Sequence, residues 1–403
     1  MNDLLQMTGT QLAELTELRH RLHQCPELSS QEESTASLVA LELERAGADE
    51  VMRAVGGTGV IGVFDSGQPG PVLVLRCELD ALPVTEPADM EIDYCSLAKG
   101  ISHKCGHDGH MSVLCGVAKA LGERRPASGK VALLFQPAEE TGEGGPAVAQ
   151  DQRFQALKPD YVIGFHNLPK REMHSICVRY GTFASASEGF RIKLKGAFSH
   201  SSYPEHGRSP AAAMATLLAE LPGLPGALNR SGDLLMLTLT QAVLGEKGPK
   251  MDFGVAPGVA EICGTVRAHE QQELNALKAG LVILANKVCD KENLQLEVSW
   301  HEAFPATVSH DESVDLVKAA AQKAGLQVDE LAEPMRWSED FSHYLLDYPG
   351  AFFGLGSGID QPQLHNEYYD FPDELIPTGV KIYLSIIDSV LEAFNSRLNG
   401  ASA

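Results

Sequence analysis

The sequence predicts an α/β fold into which a second, smaller domain is inserted. Three observations carry that reading. Short, nearly all-apolar runs alternate with stretches of helical periodicity; residues able to do chemistry follow directly after those runs; and the middle of the chain changes to a βαββαβ order. At 403 residues the chain exceeds what one core usually organises, so about two domains are expected.

Leu12, Leu15, Leu18 and Leu22 recur at three- and four-residue steps, which lays an apolar stripe along a first helix ending near Pro26. Ser29 or Ser30 is placed to cap a second helix, with Glu32 and Glu33 in its first turn and Gly47 just beyond its end. The runs at 72–75, 131–135, 161–165 and 351–355 read as strands buried on both faces, hence a sheet covered by helices on each side. In the middle, a strand at 190–194, a helix at 209–221, strands at 234–243 and 259–268, a helix at 271–288 and a strand at 294–300 follow the ferredoxin-like plan. The expected division is 1–186 and 302–403 for the first domain, closed by a helix near 379–394, with 187–301 as the insertion.

The hydrophobic fraction of 44% and charged fraction of 21% are those of a soluble globular protein. A formal net charge of −22 argues against nucleic acid or an anionic membrane as partner, since both demand a positive face. Eight scattered cysteines, together with an N-terminus lacking a basic flank and an apolar h-region, point to free thiols in a reducing cytoplasm. No apolar run approaches the roughly 18 residues that suggest a membrane span.

Ser102-His103-Lys104-Cys105-Gly106-His107-Asp108-Gly109-His110 concentrates thiol, imidazole and carboxylate groups just before an apolar run at 111–121. These are the ligand types that hold zinc and its neighbours. A lone Cys-x-His is equally a buried structural thiol beside a histidine. The other apolar runs shift the balance. Cys77-Glu78-Leu79-Asp80 follows the run at 72–75, and Gln136-Pro137-Ala138-Glu139-Glu140 follows that at 131–135. His166-Asn167 follows the run at 161–165, and Leu364-His365-Asn366 comes a little beyond that at 351–355. Ligands of open α/β sheets bind outside the carboxyl ends of strands, so these side chains are expected on one rim. Of two adjacent carboxylates there, one can ligate a metal while the other acts as general base on a water shared by two cations. The implied chemistry is metal-assisted hydrolysis. His20, His23, His174, His206, His269, His301, His310 and His343 show no ligand pattern, whereas His103 and His110 flank the cluster.

With these blocks in view, the chain resembles the M20 metallopeptidase clan. The resemblance is to its amidohydrolase branch: hippurate hydrolases, N-acyl-amino-acid amidohydrolases, N-acetyl-diaminopimelate deacetylases and plant auxin-conjugate hydrolases. The matching blocks run through Leu22-His23-Gln24-Cys25-Pro26-Glu27-Leu28-Ser29, Leu79-Asp80-Ala81-Leu82-Pro83, the 103–110 cluster and 136–140. They continue through Gly164-Phe165-His166-Asn167, Gly264-Thr265-Val266-Arg267, Ser338-Glu339-Asp340-Phe341 and Leu364-His365-Asn366. The resemblance implies a zinc-peptidase-like α/β/α catalytic domain with an inserted lid that is also the dimerisation domain. It implies that Cys105, His107, Glu140, His166 and His365 hold two divalent ions, zinc, manganese, cobalt or nickel. Glu139 would be the general base, Asp80 would orient a ligand from behind, and His200 would reach into the partner subunit's site to help hold the carbonyl oxygen. Arg267 and Asn366 are substrate contacts by the same analogy.

Three positions depart from the family pattern: Cys77-Glu78-Leu79 where Ala-Asp-Met is usual, Phe198-Ser199 where two glycines precede the histidine, and Gly254 where an asparagine helps bind the substrate carboxylate. The expected activity is hydrolysis of an N-acyl amino acid or related small amide to a carboxylate and an amine, in a homodimer. Two other readings stand beside it: a dipeptidase or aminopeptidase-like hydrolase, and a metal-binding dimer without catalysis.

Overall fold

The computed structural model describes residues 7–229, 232–246 and 253–400. The chain divides into two compact units, one formed by residues up to Phe183 with Thr307–Glu333 and the segment from Asp340 onward, the other by Ala184–Ala306 with Pro334–Glu339. Residues 334–339, assigned by sequence to the first domain, thus belong to the second.

In chain order the strands of the first half are β1 (Glu50–Val55), β2 (Gly59–Asp65), β3 (Val72–Glu78), β4 (Lys130–Gln136), β5 (Tyr161–Pro169), β6 (Ile176–Val178) and β7 (Gly181–Ala184). The second unit adds β8 (Ala186–Lys195), β9 (Ser199–His200), β10 (Leu235–Leu244), β11 (Val255–Ala256), β12 (Val259–Ala268) and β13 (Gln295–Phe304). β14 (Thr307–Ser309), β15 (Val328–Glu330) and β16 (Gly350–Gly358) complete the set.

The main sheet of the first unit has eight strands in the order β1-β2-β4-β3-β5-β16-β6-β15. Its centre is parallel: β3 pairs with β4 and β5, and β5 with β16, all in the same direction. The chain leaves β3 for β4 on one side and then crosses to β5 on the other. That reversal opens a crevice at the carboxyl ends of β3 and β5, where such folds place ligands.

Alternation decides what covers each face. Leu73, Leu75 and Cys77 of β3, with Val131, Leu133, Phe135, Ile163, Phe165, Phe353 and Leu355, share one core with five helices. These are α1 (Gly9–Gln24), α2 (Glu33–Arg45), α3 (His107–Glu123), and from the last part of the chain α9 (Asp311–Lys323) and α11 (Leu375–Gly400). The intervening residues Val74, Ala132, Leu134, Val162 and Phe352 are equally buried on the opposite face. There Phe352 meets Phe341 at 5.0 Å between ring centroids, and Phe154 meets Tyr344 at 5.3 Å, bringing in α4 (Gly144–Ala149), α5 (Gln152–Leu157) and α10 (Ser342–Leu345). Burial on both faces is why these strands read as unbroken apolar runs.

In the second unit, α6 (Ala211–Glu220), α7 (Leu224–Leu228) and α8 (Gln271–Lys291) cover one side of an antiparallel sheet ordered β10-β12-β8-β13. That is the expected ferredoxin-like order. Ala211–Leu228 is apolar enough for a membrane span, with a mean hydropathy of 1.3, yet Pro222 and Pro225 accompany its division into two helices and a 3-10 turn.

The expected serine cap of α2 is not formed. Glu32 occupies the N-cap without a side-chain cap bond, and the Ser29 hydroxyl instead donates to Asp80 Oδ2 at 2.7 Å.

Candidate metal centre

α3 begins at His107, and its N-cap is Gly106 with φ +96°, a left-handed conformation that glycine adopts without strain. A Cβ there would sit 2.6 Å from Asn167 Oδ1. This turn sets Cys105 and His107 on either side of one glycine, and His365, itself at φ +64°, hydrogen-bonds through its backbone N–H to the Lys104 carbonyl at 2.8 Å. The loop carrying His365 is thereby tied to the residue before Cys105.

Cys105 Sγ lies 3.4 Å from His166 Nε2 and 3.3 Å from His365 Nε2. Glu140 brings Oε2 to 3.6 Å from His365 Nε2 and Oε1 to 4.0 Å from His107 Nε2. The expected residues fall into three overlapping sets, each with its ligand atoms within 4.8 Å of one another: Cys105, His107 and His166; Cys105, Glu140 and His365; His107, Glu139 and Glu140. Glu78 and His110 form a further set with His107. The five ligands expected from the sequence and the expected base are therefore neighbours, although they are scattered along the chain.

Two features fit this pocket to cations. Among the described residues, His107 Nε2 is buried and makes no hydrogen bond, while its Nδ1 is fixed 2.8 Å from the Asp80 carbonyl oxygen, so the open nitrogen faces the other candidate ligands. Charge is the second. Burial and the Glu140 and Glu139 carboxylates push the Cys105 thiol well above its ordinary range. Burial alone would lower His107, yet Asp80, Glu78 and Glu140 lift it to about 10. Burial and His110 push His166 well below its usual value, keeping it the neutral imidazole a metal takes. A pocket that raises both a thiol and an imidazole lacks positive charge, and cations bound by thiolate, imidazole and carboxylate supply it.

Asp80 stands behind the cluster: Oδ1 is 3.6 Å from His107 Nδ1, and Oδ2 accepts the Glu140 backbone N–H at 3.0 Å. His110 is a second buried support, bridging Glu78 Oε2 at 2.7 Å and Asn167 Oδ1; Asn167 Nδ2 in turn donates to the Tyr369 hydroxyl at 2.6 Å. Glu78 also pairs with Arg76, whose Nη2 donates to Asp340 at 2.8 Å. The glutamate that replaces the family's aspartate thus connects the floor of the site to a buried arginine. His103 is buried with neither ring nitrogen hydrogen-bonded among the described residues, and burial lowers it to about 3.

His23, given no role by its sequence context, is fully buried and lies between Asp108 Oδ2 and Glu86 Oε1, both at 2.8 Å. Burial opposes its charge, but Asp108 and Glu86 outweigh it and raise His23 to about 9. A pKa raised above the unfolded value of about 6.5 contributes stability that is complete below pH 6.5 and disappears as pH climbs through about 9. The unfolding midpoint is accordingly expected to fall between about pH 7 and 9.5, on the order of 2–3 kcal/mol being lost, and His23→Gln is expected to flatten that decline. Equal slopes for wild type and variant in a pH series of thermal melts would sink the assignment.

Asn366 is exposed, and its Oδ1 accepts the Tyr368 backbone N–H at 3.0 Å within its own turn. His200 and Arg267 lie in the second unit. His200 is exposed on β9, paired with Val255 of β11. Arg267 Nη1 donates to the Arg336 carbonyl at 2.9 Å and the Ser338 hydroxyl at 2.7 Å, and no carboxylate of the described residues pairs with it.

The profile of Peptidase family M20/M25/M40 matches residues 74–389, a span that takes in every candidate ligand of this centre. The chain belongs to that family. The expected amidohydrolase branch is matched as well. The chain is 31% identical to N-acetyl-L-cysteine deacetylase of Bacillus subtilis over 373 residues, covering 92% of this chain and 87% of that one. It is 29% identical to hippurate hydrolase of Campylobacter jejuni, covering 93% and 95% of the two chains. Among solved structures, the YXEP protein of Bacillus subtilis, a dinuclear metal-binding peptidase of the M20 family, superposes with a TM-score of 0.79 at 26% identity over 96% of this chain and 99% of its own. This M20 chain is a hydrolase of amide bonds.

Proposed function

We propose that the M20 chain is a metal-dependent amidohydrolase that cleaves the amide bond of an N-acyl amino acid or related small conjugate, releasing a carboxylate and an amine. The observation that carries this reading is the gathering of Cys105, His107, Glu140, His166 and His365 around the buried Glu139 at the carboxyl ends of β3, β4 and β5. Those five residues would hold two divalent ions. When bound, the ions polarise the scissile carbonyl and lower the pKa of a water. Glu139 takes a proton from the attacking water and delivers it to the leaving nitrogen, so the amine departs neutral. Asp80 holds His107 and the Glu140 amide in place meanwhile.

The relatives act on N-acetyl-L-cysteine and hippurate by name, both N-acyl amino acids, and this supports that substrate class. In this reading the protein is a homodimer joined through its second unit. The exposed His200 reaches into the partner subunit's site to help hold the carbonyl oxygen, and Arg267, which has no carboxylate of its own among the described residues, is a substrate contact. Gly254 supplies no side chain where the family carries an asparagine that helps bind the substrate carboxylate, so recognition of that carboxylate departs from the family's usual mode.

The test is hydrolysis of N-acetyl and N-benzoyl amino acids and of free dipeptides by enzyme stripped with chelator and reloaded separately with zinc, manganese, cobalt or nickel. N-acyl substrates are expected to turn over only after reloading, and free dipeptides poorly. Turnover confined to free dipeptides would establish the peptidase instead. No turnover of any amide by fully loaded protein would leave the metal-binding scaffold.

A further inference from the structure

Glu32 stands at the N-cap of α2, yet its side chain leaves that helix uncapped and points elsewhere. It is fully buried, and no basic side chain of the described residues pairs with it. Its three partners are all donors: the Ser30 N–H at 2.9 Å and the Ala138 N–H at 2.8 Å on Oε1, and the Thr58 hydroxyl at 2.7 Å on Oε2. Burying a carboxylate this way is costly, so the group is expected to secure something that matters.

What it secures is the turn carrying Glu139. Ala138 has φ +48°, a left-handed conformation that a residue with a Cβ adopts only when its surroundings hold it there. On the far side of Glu139, the Glu140 N–H ends on Asp80 Oδ2 at 3.0 Å, and the same oxygen accepts the Ser29 hydroxyl at 2.7 Å. The amides on both sides of Glu139 are thus anchored to carboxylates, one belonging to residue 32 and the other bound by residue 29. A misplaced base loses rate steeply, because proton transfer requires hydrogen-bond distance to the attacking water.

We propose that Glu32 is a positioning residue for Glu139, holding the left-handed turn at Ala138 through its N–H and so fixing where the Glu139 carboxylate points. This rests on the reading of Glu139 as general base. Reach rather than charge is what matters: an amide carbonyl of the same length still accepts the Ala138 N–H, whereas a carboxylate one methylene shorter falls short of it.

Glu32→Gln, Glu32→Asp and Glu32→Ala are compared with Glu139→Gln for kcat, KM, metal content per subunit and thermal midpoint. Glu32→Asp and Glu32→Ala are expected to lower kcat roughly 10–100-fold, with KM and metal content unchanged, and Glu32→Gln to retain kcat within about threefold. Wild-type kcat in Glu32→Asp overturns the proposal, as does an equal loss in Glu32→Gln or a loss that follows depleted metal. Should Glu32→Ala fail to fold, the Asp and Gln pair decides alone. Failure of the underlying reading is separately visible, since an active Glu139→Gln removes the base while leaving the Glu32 series interpretable as structural.

Discussion

Glu139→Gln is expected to fold, to bind its full complement of metal and to lose about 10²–10⁴-fold in kcat, some 3–5 kcal/mol of transition-state stabilisation. The substitution keeps the length and planarity of the side chain and removes only its ability to take a proton. Glu139 is 5% exposed, so bulk water has little access to substitute for it, and the neighbouring carboxylate, Glu140, points its oxygens at His365 and His107. Metal analysis and steady-state kinetics on the same preparation provide the check. Retention of near wild-type turnover would show that another group accepts the proton, and a loss of metal in parallel with activity would recast Glu139 as a ligand.

Arg19→Met should destabilise the first unit by about 3–5 kcal/mol, the range seen when one partner of a buried ion pair is removed. Arg19 is fully buried and shares its guanidinium among Asp108 at 3.1 Å, Asp370 at 3.0 Å and Asp373, with a further bond to the Tyr94 hydroxyl at 2.7 Å. Methionine fills the space but leaves the three carboxylates with two imidazoles, His23 and His20, in place of a permanent cation. The consequence reaches the site, because Asp108 follows His107 and the Asp370 segment follows His365. Weaker metal binding is therefore expected alongside the lower unfolding midpoint. Arg19→Lys, which keeps the charge without the planar fork, should fall between the two. A variant as stable as wild type would show that the network repays no more than its desolvation.

Much of this is legible without coordinates. The four strands that frame the centre are the four apolar runs, because strands covered on both faces cannot hide their composition. The blocks around Cys105, Glu139, His166 and His365 stand out because chemistry-bearing residues directly after such runs must lie near one sheet rim. Arg19 also carries a signal: it falls on the apolar face of α1, four residues after Leu15 and three before Leu22, where an unpaired charge is not tolerated. His23, one turn further, shares that face. The serine cap fails because α2 starts at Glu33 with Glu32 at its N-cap, which leaves Ser29 and Ser30 ahead of the cap position; the Ser29 hydroxyl donates to Asp80, 51 residues away, instead.

The sequence by itself determined the four central strands β3, β4, β5 and β16, the first two helices and the last, the ferredoxin-like order of the insertion and the candidate residues whose side chains are of a type to bind metal or move a proton. All of these depend on local periodicity or on the type of a side chain. The flanking strands β1, β2, β6 and β15 and the helix α9 were not read from the sequence. Tertiary structure alone decided that Glu32 holds Ala138 across 106 residues and that Arg19 meets Asp373 across 354. It also decided that Glu78 is held between Arg76 and His110, with His107 close by. A buried polar group takes whichever partner the packing of distant segments brings within about 3 Å, and no pattern along the chain encodes that distance.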